Sequence, residues 1–253
     1  MSKNIRRFAM VVGVGGLFLV GAGGSWADSM ENRLELLGLQ ESDIADQGLP
    51  ENWKPVFFPK ISQHTRYRIV KDGDVIAVEA NADRSASGII REIEYSVSEF
   101  PILQWSWKIS SVYERGDFTK KSGDDYPARV YITFDSSGVE LSWWEKLQVK
   151  SYELIYGETP PLATLSYIWA NRGKVGTIVD NPYTGRVKMV LVNSGNDQAG
   201  RWVSQERNLR EDFVAAFGYE PPPVSAIAIM TDGDNTQSST TSWYGALRAV
   251  KSP

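Results

Sequence analysis

Residues 102–109 read Ile-Leu-Gln-Trp-Ser-Trp-Lys-Ile, and this alternation decides the fold class. Large apolar side chains occupy every second position from residue 103 onward, and Gln104, Ser106 and Lys108 take the positions between them. Successive side chains of a strand point to opposite faces, so the pattern predicts a strand with one buried and one polar face. Residues 129–134 alternate in the same way.

Short segments rich in β-branched and aromatic residues recur along the chain. Turn signals separate them, such as Asp72-Gly73, which favours a hairpin because the central turn positions need positive φ. So many short strands predict a mainly β protein, built as a single antiparallel β-sandwich of jelly-roll type with one or two inserted helices. The predicted strands span residues 66–70, 75–80, 87–93, 102–109, 129–134, 164–170, 177–180, 187–193, 201–206 and 224–231.

Two helices are predicted between the strands. Asn208 is a favourable N-cap with Glu211 three residues later, and Gly218, followed by three prolines, ends that helix. The second candidate, Trp143–Tyr156, begins with two adjacent tryptophans. These could be buried against the sheet or could contact a membrane or a partner, and burial is the more frequent fate of tryptophan.

Residues 1–27 have the composition of a secretory signal peptide. Three basic residues precede an apolar run from Ala9 to Ala22, and Ser25-Trp26-Ala27 suits cleavage before Asp28. The alternative is a membrane anchor, but the run is shorter than the roughly 20 residues that span a bilayer. We therefore expect a Sec-type signal peptide and a periplasmic or secreted protein that keeps no transmembrane anchor after cleavage.

The rest of the chain is expected to have two parts, a helical or irregular lead-in over residues 28–52 and a β-sandwich domain over residues 53–253. Removal of the leader takes away three basic residues and no acidic one, so the formal net charge changes from -4 to -7. An acidic chain without a run of basic residues is not expected to bind nucleic acid.

Composition also limits the chemistry. The chain has no cysteine, which excludes disulfides and thiolate sites, and its one histidine, His64, excludes a site that needs two imidazoles. The mature sequence contains no phosphate-binding loop, serine-hydrolase elbow, metalloprotease helix or EF-hand loop. Any chemistry would rest on carboxylates, arginine and tyrosine.

The first polar cluster is Asp232-Gly233-Asp234-Asn235-Thr236, directly after a predicted strand. Its carboxylates, amide and hydroxyl are hard oxygen donors that suit a calcium ion or sugar hydroxyls. Asp232 and Asp234 are therefore the candidate metal ligands, with calcium as the candidate ion. The alternative is a turn held by its own side-chain hydrogen bonds, which Asp, Asn and Gly also favour.

The second cluster includes Asp124 and Asp125 and leads into Arg129 and Tyr131 on the polar face of the next strand. Arginine can bind a carboxylate with two parallel hydrogen bonds, and tyrosine can stack on a sugar ring. These residue types fit an acidic sugar or another carboxylated ligand. An exposed loop with local ion pairs is the alternative.

A third cluster places Tyr167 and Trp169 on one face of a predicted strand. They would form either a core layer or an aromatic platform for a ligand. Ile168 makes the opposite face partly apolar as well, which favours the core.

Several motifs occur together in an order that resembles an exported bacterial family catalogued as domain of unknown function 3047. The matching segments are residues 105–108, 122–131, 165–170, 181–184, 206–213, 229–236 and 243–245. The resemblance extends from Trp53 to Leu247; it implies a single exported domain and supplies no activity. The Trp-x-Trp-Lys strand is also similar to galactose-binding-like jelly rolls, although similarity of fold does not establish function.

The first functional hypothesis is a periplasmic module that binds a carbohydrate or cell-envelope glycan. Arg129 would bind an anionic group, Tyr131 would stack on a sugar ring, and the loop at 232–235 would hold a metal ion or hydroxyls. The full predicted ligand-binding set is Asp124, Asp125, Arg129, Tyr131, Trp169, Asp232, Asp234 and Asn235.

Two alternatives remain open. A glycan hydrolase or lyase would use Asp124 or Asp125 with Asp232 or Asp234 as acid and base, which requires two carboxyl groups across a cleft. A structural partner in an envelope assembly would be favoured by exposure of the tryptophans at 143 and 144.

Overall fold

Thirteen strands form two sheets in the computed structural model, which describes residues 32–45, 48–135 and 163–252. The strands are β1 (Arg33–Leu37), β2 (Lys54–Val56), β3 (Arg66–Asp72), β4 (Val75–Asp83), β5 (Ala86–Tyr95), β6 (Ile102–Ile109), β7 (Ala128–Phe134), β8 (Ala163–Ala170), β9 (Ile178–Asn181), β10 (Thr184–Ser194), β11 (Val203–Asn208), β12 (Val224–Asp232) and β13 (Ser239–Val250). Short 3-10 turns occur at Glu41–Ile44 and Lys121–Gly123.

The first sheet has six strands in the order β11-β6-β13-β4-β3, with β1 also paired to β13. The second sheet has seven strands in the order β2-β5-β12-β7-β8-β10-β9. Together they form a jelly-roll-type β-sandwich, as the sequence predicts. One pair departs from the predicted antiparallel arrangement, since β8 and β10 run parallel.

The alternating strand β6 shows how the core is filled. Trp105 and Trp107 are buried and face β8 of the second sheet, where their ring centroids lie 5.1 Å from Tyr167 and 5.9 Å from Trp169. The intervening residues of β6 stay partly exposed on the outer face. Burial of large aromatic side chains between two sheets supplies the main hydrophobic stabilisation of such a sandwich.

The second sheet is covered on its outer face as well. All eight residues of β8 are buried. On that outer side, Ile168 packs in a smaller apolar cluster with Tyr126 and Met189, and Phe118 is packed against it. The loop before β7 therefore lies over the outer face of the second sheet. This cover matters for the site described below.

The helix predicted at Asn208 is present as α1 (Leu209–Phe217). The Asn208 side chain accepts hydrogen bonds from the backbone N–H groups of Arg210 and Glu211, which otherwise lack partners in the first turn. Gly218 ends the helix with φ of 83°. The other predicted helix, Trp143–Tyr156, lies outside the described residues, as do the tryptophans at 143 and 144.

Two expectations about local structure are corrected, and one strand was missed. The lead-in predicted as helical or irregular contributes β1, whose Leu36 and Leu37 are fully buried, so the sandwich includes residues before Trp53. The central hairpin residues are Gly73 and Asp74, one position later than predicted, and only Gly73 has positive φ. The longest strand, β13, was not predicted, because its first half is rich in Ser and Thr and carries no apolar run.

Among the described residues, no helix has the length and apolar character that crossing a membrane would require.

Candidate functional site

Strands β7 and β12 bring the two predicted polar clusters together. The strands are antiparallel neighbours, with Met230 paired to Arg129, so the start of β7 lies beside the end of β12. Asp124 and Asp125 precede β7, and Asp234 follows β12. The two segments therefore meet at one end of the second sheet, under the loop that covers its outer face.

Arg129 and Asp232 form a buried ion pair at the centre of this region, and their exposed fractions are 3% and 2%. Arg129 Nε donates to Asp232 Oδ1 at 2.9 Å, and Nη2 donates to Oδ2. Nη2 also donates to the carbonyl of Asp124 at 2.7 Å, and Nη1 donates to the Tyr131 hydroxyl at 3.2 Å. The guanidinium carbon lies 4.3 Å from the centroid of the Tyr126 ring.

The electrostatics keep Arg129 charged. Burial alone would lower the pKa of Arg129, but the negative charges of Asp232 and Asp124 outweigh it and hold the pKa above its usual value. Arginine in such a two-point pair has its donors occupied by protein groups. Arg129, predicted to bind an anionic ligand, and Tyr131, predicted to stack on a sugar, are thus hydrogen-bonded to each other, and Arg129 also binds other protein groups.

The carboxylate of Asp125 holds the loop after β12 in position through hydrogen bonds. It is fully buried, and its Oδ1 accepts from the backbone N–H and the side-chain amide of Asn235, both at 3.2 Å. Its Oδ2 accepts from the backbone N–H of Thr236 at 2.5 Å. The two polar clusters are thus one hydrogen-bonded unit, most of which is closed to solvent.

The loop at 181–185 borders the same unit. Asn181 Nδ2 donates to the carboxylate of Asp124, and the hydroxyl of Tyr183 lies 3.2 Å from Asn235 Oδ1. Tyr183 is 54% exposed, so it forms the outer rim. Of the predicted ligand-binding set, seven residues lie together here, from Asp124 to Asn235.

Trp169 does not belong to this unit. Its ring is fully buried against Trp107 in the core, and its indole N–H donates to the carbonyl of Gly195 at 2.9 Å. The structure thus places Trp169, predicted as a ligand-binding residue, in the core, because β8 is buried on both faces and presents no platform to solvent.

Three carboxylates in the unit could hold a metal ion. One oxygen each from Asp125, Asp232 and Asp234 lie within 4.8 Å of one another. The sequence predicted Asp232 and Asp234 for this role and missed Asp125, which is 107 and 109 positions earlier in the numbering. A glycosidase needs two carboxyl groups roughly 5–9.5 Å apart across a cleft. Here Asp125 and Asp232 are buried and hydrogen-bonded to protein groups.

A second cluster, which the sequence analysis missed, lies on the outer face of the first sheet. Trp202, directly before β11, and Trp243 of β13 are partly exposed on either side of Lys108 of β6. The Lys108 ammonium lies 4.2 Å from the Trp243 ring centroid and 5.6 Å from the Trp202 ring centroid. We call these three residues the Trp-Lys-Trp face.

Carboxylates hold the Trp-Lys-Trp face in position. Asp72 accepts from Trp202 Nε1 at 2.7 Å and pairs with the Lys108 ammonium. Glu79 accepts from Trp243 Nε1 at 3.1 Å. The signal that could have found this face is the outward position of Lys108 in the alternating strand; its pairing with Trp243 depends on strand order and is absent from the sequence pattern.

Polar side chains surround the Trp-Lys-Trp face on neighbouring strands. Arg68 on β3 binds Glu79 on β4, and Asn81 on β4 donates to Thr241 on β13. A Cβ on Gly245 would lie 2.3 Å from Ser106 Oγ, so a larger residue beside Trp202 would require the Ser106 side chain to move. The face thus combines fixed aromatic rings with oriented donors and acceptors.

Comparison with known proteins places the sequence in a family without an assigned activity. The family model described as "Protein of unknown function (DUF3047)" matches residues 51–248. No curated protein matches the sequence.

Solved structures similar to this chain have very low sequence identity to it and TM-scores below 0.5. The carbohydrate recognition domain of Emp47p is 7% identical, with 88% of this chain and 96% of that chain covered and a TM-score of 0.43. The xyloglucanase domain of NopAA from Sinorhizobium fredii is 9% identical, with 81% of this chain and 95% of that chain covered and a TM-score of 0.41. A carbohydrate esterase of the Shiga toxin-encoding bacteriophage phi24B is 14% identical, with 86% and 97% covered and a TM-score of 0.40. Similarity at this level transfers no ligand or activity to this chain.

Proposed function

The chain belongs to the DUF3047 family, whose function is unknown, and we propose that it is an exported carbohydrate-binding module. The ligand site in this proposal is the Trp-Lys-Trp face on the outer side of the first sheet. The unit around Arg129 and Asp232 is assigned a structural role, because its side chains are buried and bound to one another.

One observation carries the proposal: two partly exposed indoles are held in fixed positions on an open sheet face. Trp202 and Trp243 each donate their N–H to a carboxylate, so the orientation of both rings is set before any ligand arrives. Preorganised aromatic groups lose little conformational freedom on binding. A pyranose ring has an apolar C–H face that can stack on such a ring while its hydroxyls reach the surrounding polar groups.

The charges on the face favour a neutral sugar. Lys108 is paired with Asp72, and Arg68 is paired with Glu79, so these four side chains carry no net charge. An acidic sugar would have to displace an existing carboxylate from its cation. We therefore propose a neutral glycan, in place of the anionic ligand that the sequence pattern favoured.

Export is part of the proposal and is supported by the sequence of residues 1–27. The protein recovered from cells should begin at Asp28 and should be found in the periplasm or the medium. Determination of its N-terminus and intact mass tests this. A chain that begins at Met1 and stays in the cytoplasm would contradict export.

The binding site is tested with neutral polysaccharides. Mixed-linkage β-glucan, xyloglucan and xylan are titrated into the protein while tryptophan fluorescence is recorded, and affinity electrophoresis provides a second readout. At least one should bind, and Trp202→Ala or Trp243→Ala should weaken binding about tenfold or more, as expected when a central aromatic anchor is removed. Polygalacturonate, an anionic polysaccharide, should bind more weakly.

A matched control shows whether binding requires the Trp-Lys-Trp face or any exposed aromatic residue. Phe57 is 55% exposed and follows β2 of the other sheet, so Phe57→Ala should bind as the wild type does. Circular dichroism of each variant checks that the sandwich is retained, and Trp202→Phe keeps an aromatic ring if Trp202→Ala does not fold. The proposal fails if no neutral polysaccharide binds or if the face variants bind as tightly as the wild type.

A further inference from the structure

We propose that Asp125, Asp232 and Asp234, with the hydroxyl of Tyr113, form a binding site for a calcium-type divalent cation. The ion would join the loop after β12 to the segment before β7. This inference does not depend on glycan binding, because the Trp-Lys-Trp face belongs to the other sheet.

The spacing of the carboxylates fits one shared ion. Their oxygens lie within 4.8 Å of one another. Calcium binds oxygen at about 2.3–2.6 Å, so two ligands on opposite sides of one ion are about 5 Å apart at most. The three oxygens can therefore reach a common ion without a change in backbone.

Each buried carboxylate has coordination capacity left. A carboxylate offers about four lone-pair sites. Asp232 accepts three hydrogen bonds, two from Arg129 and one from the backbone N–H of Tyr126. Asp125 also accepts three, from Asn235 and Thr236. One site on each remains for an ion.

The local charge requires compensation. Arg129 is the cation in direct contact with Asp232, whereas Asp125 is bound by neutral amide groups. Buried carboxylates are costly unless they are paired with a positive charge.

An independent observation points into the same space. The Tyr113 hydroxyl is buried, with the residue 2% exposed, and has no hydrogen-bond partner among the described residues. The residue beside this hydroxyl is Gly233, which lies between Asp232 and Asp234 in the chain. A Cβ on Gly233 would lie 3.3 Å from this oxygen, so the glycine leaves room beside it. A buried hydroxyl without a partner marks a position for an ion or a bound water.

The cluster can be reached from solvent through Asp234. This residue is only partly buried and lines a surface pocket of about 370 Å³ together with Lys60, Arg84 and Gln237. The donors proposed for the ion are hard oxygens, and the chain has no cysteine that could supply a thiolate. Hard, flexible oxygen sites favour calcium over zinc, and magnesium demands a stricter octahedral geometry.

The test measures cation binding directly. The protein recovered after export is treated with EDTA, dialysed, and titrated with CaCl₂ by calorimetry, with MgCl₂ and ZnCl₂ in parallel. We expect one calcium ion per chain, with a Kd of about 10⁻⁴–10⁻³ M or tighter, and a rise in Tm with calcium concentration. Asp234→Asn should weaken binding at least tenfold.

Two further variants make the result specific. Asp74→Asn, at the exposed β3–β4 hairpin, is the matched control and should bind calcium as the wild type does. Tyr113→Phe should weaken calcium binding while leaving the Tm of the EDTA-treated protein unchanged or higher. This variant tests the site even if Asp234→Asn does not fold. The inference is overturned if calcium does not bind in the millimolar range, or if both Asp234→Asn and Tyr113→Phe bind it as tightly as the wild type.

Discussion

Arg129 at the start of β7 and Asp232 at the end of β12 form a two-point ion pair beneath the loop that covers the second sheet. The residues are 103 positions apart in the chain, and both are buried. The pair joins two central strands of the sheet and also holds the carbonyl of Asp124 through Arg129. It therefore links two segments that are far apart in the chain, residues 124–129 and the end of β12.

Breaking this pair should be costly. Arg129→Met leaves the carboxylate of Asp232 buried without its cation, so the free energy of unfolding should fall by about 3–5 kcal/mol. Urea denaturation followed by circular dichroism measures the change. Arg129→Met combined with Asp232→Leu removes both charges and should recover part of the loss; a single variant as stable as the wild type would contradict the role of the pair.

The two classes of tryptophan should respond differently to truncation. Trp169→Ala opens a cavity in the core and should lower the free energy of unfolding by about 3–5 kcal/mol. Trp202 lies on a partly exposed face, so Trp202→Ala should lower the free energy of unfolding by clearly less. The urea midpoints of the two variants test this difference, provided that both unfold with the same dependence on urea concentration. A larger decrease in the free energy of unfolding for Trp202→Ala would mean that the core assignment of Trp169 is incorrect.

Only glycine fits at position 233 without a steric clash. A Cβ there would overlap the backbone carbonyl of Ser238 and would crowd the Tyr113 hydroxyl. Gly233→Ala should therefore lower the free energy of unfolding by about 1–3 kcal/mol, as overpacking does elsewhere. Gly185→Ala is the control, because its nearest neighbour, Asp180 Oδ2, would be 3.8 Å away. Equal midpoints for the two alanine variants would argue against the close approach at Gly233.

Asp117 should contribute stability that depends on pH. Hydrogen bonds from the Thr119 side chain and backbone, and the charge of Arg172, lower the pKa of Asp117 from 3.8 to about 2. A depressed carboxyl pKa stabilises the folded state above the ordinary value, and that stability is lost as the pH falls through about 2. Asp117→Asn should therefore have a lower urea midpoint than the wild type at pH 7, and the difference should shrink between about pH 4 and pH 2. A difference that stays constant over this range would show that ionisation of Asp117 is not the cause.

The cap of α1 offers a test of a feature that the sequence predicted and the structure confirms. Asn208→Ala leaves the N–H groups of Arg210 and Glu211 without their side-chain acceptor. The free energy of unfolding should fall by about 1 kcal/mol. Asn208→Asp keeps an acceptor at the same position and should fold with nearly the wild-type midpoint.

Local patterns predicted most of the strands and failed where a strand lacks a local signature. Ten of the predicted segments correspond to β3 through β12. β13 was missed because Ser, Thr and Gly dilute its alternation, yet it lies at the centre of the first sheet. Its partners β1, β4 and β6 come from distant parts of the chain. Hydrogen bonds to these strands hold β13 in an extended conformation that its own sequence does not signal.

The sequence by itself determined the fold class, the cap of α1, and the residue types available for chemistry, because periodicity, capping and composition act over short distances along the chain. Only the tertiary structure decided which face of each strand meets solvent. Arg129 lies on the face opposite the main core, as predicted, but the loop before β7 covers that face, so the residue is buried in an ion pair. Trp202 and Trp243 meet around Lys108 because strand order places β11, β6 and β13 side by side. Contacts of that kind join residues far apart in the chain, and no short segment of sequence encodes them.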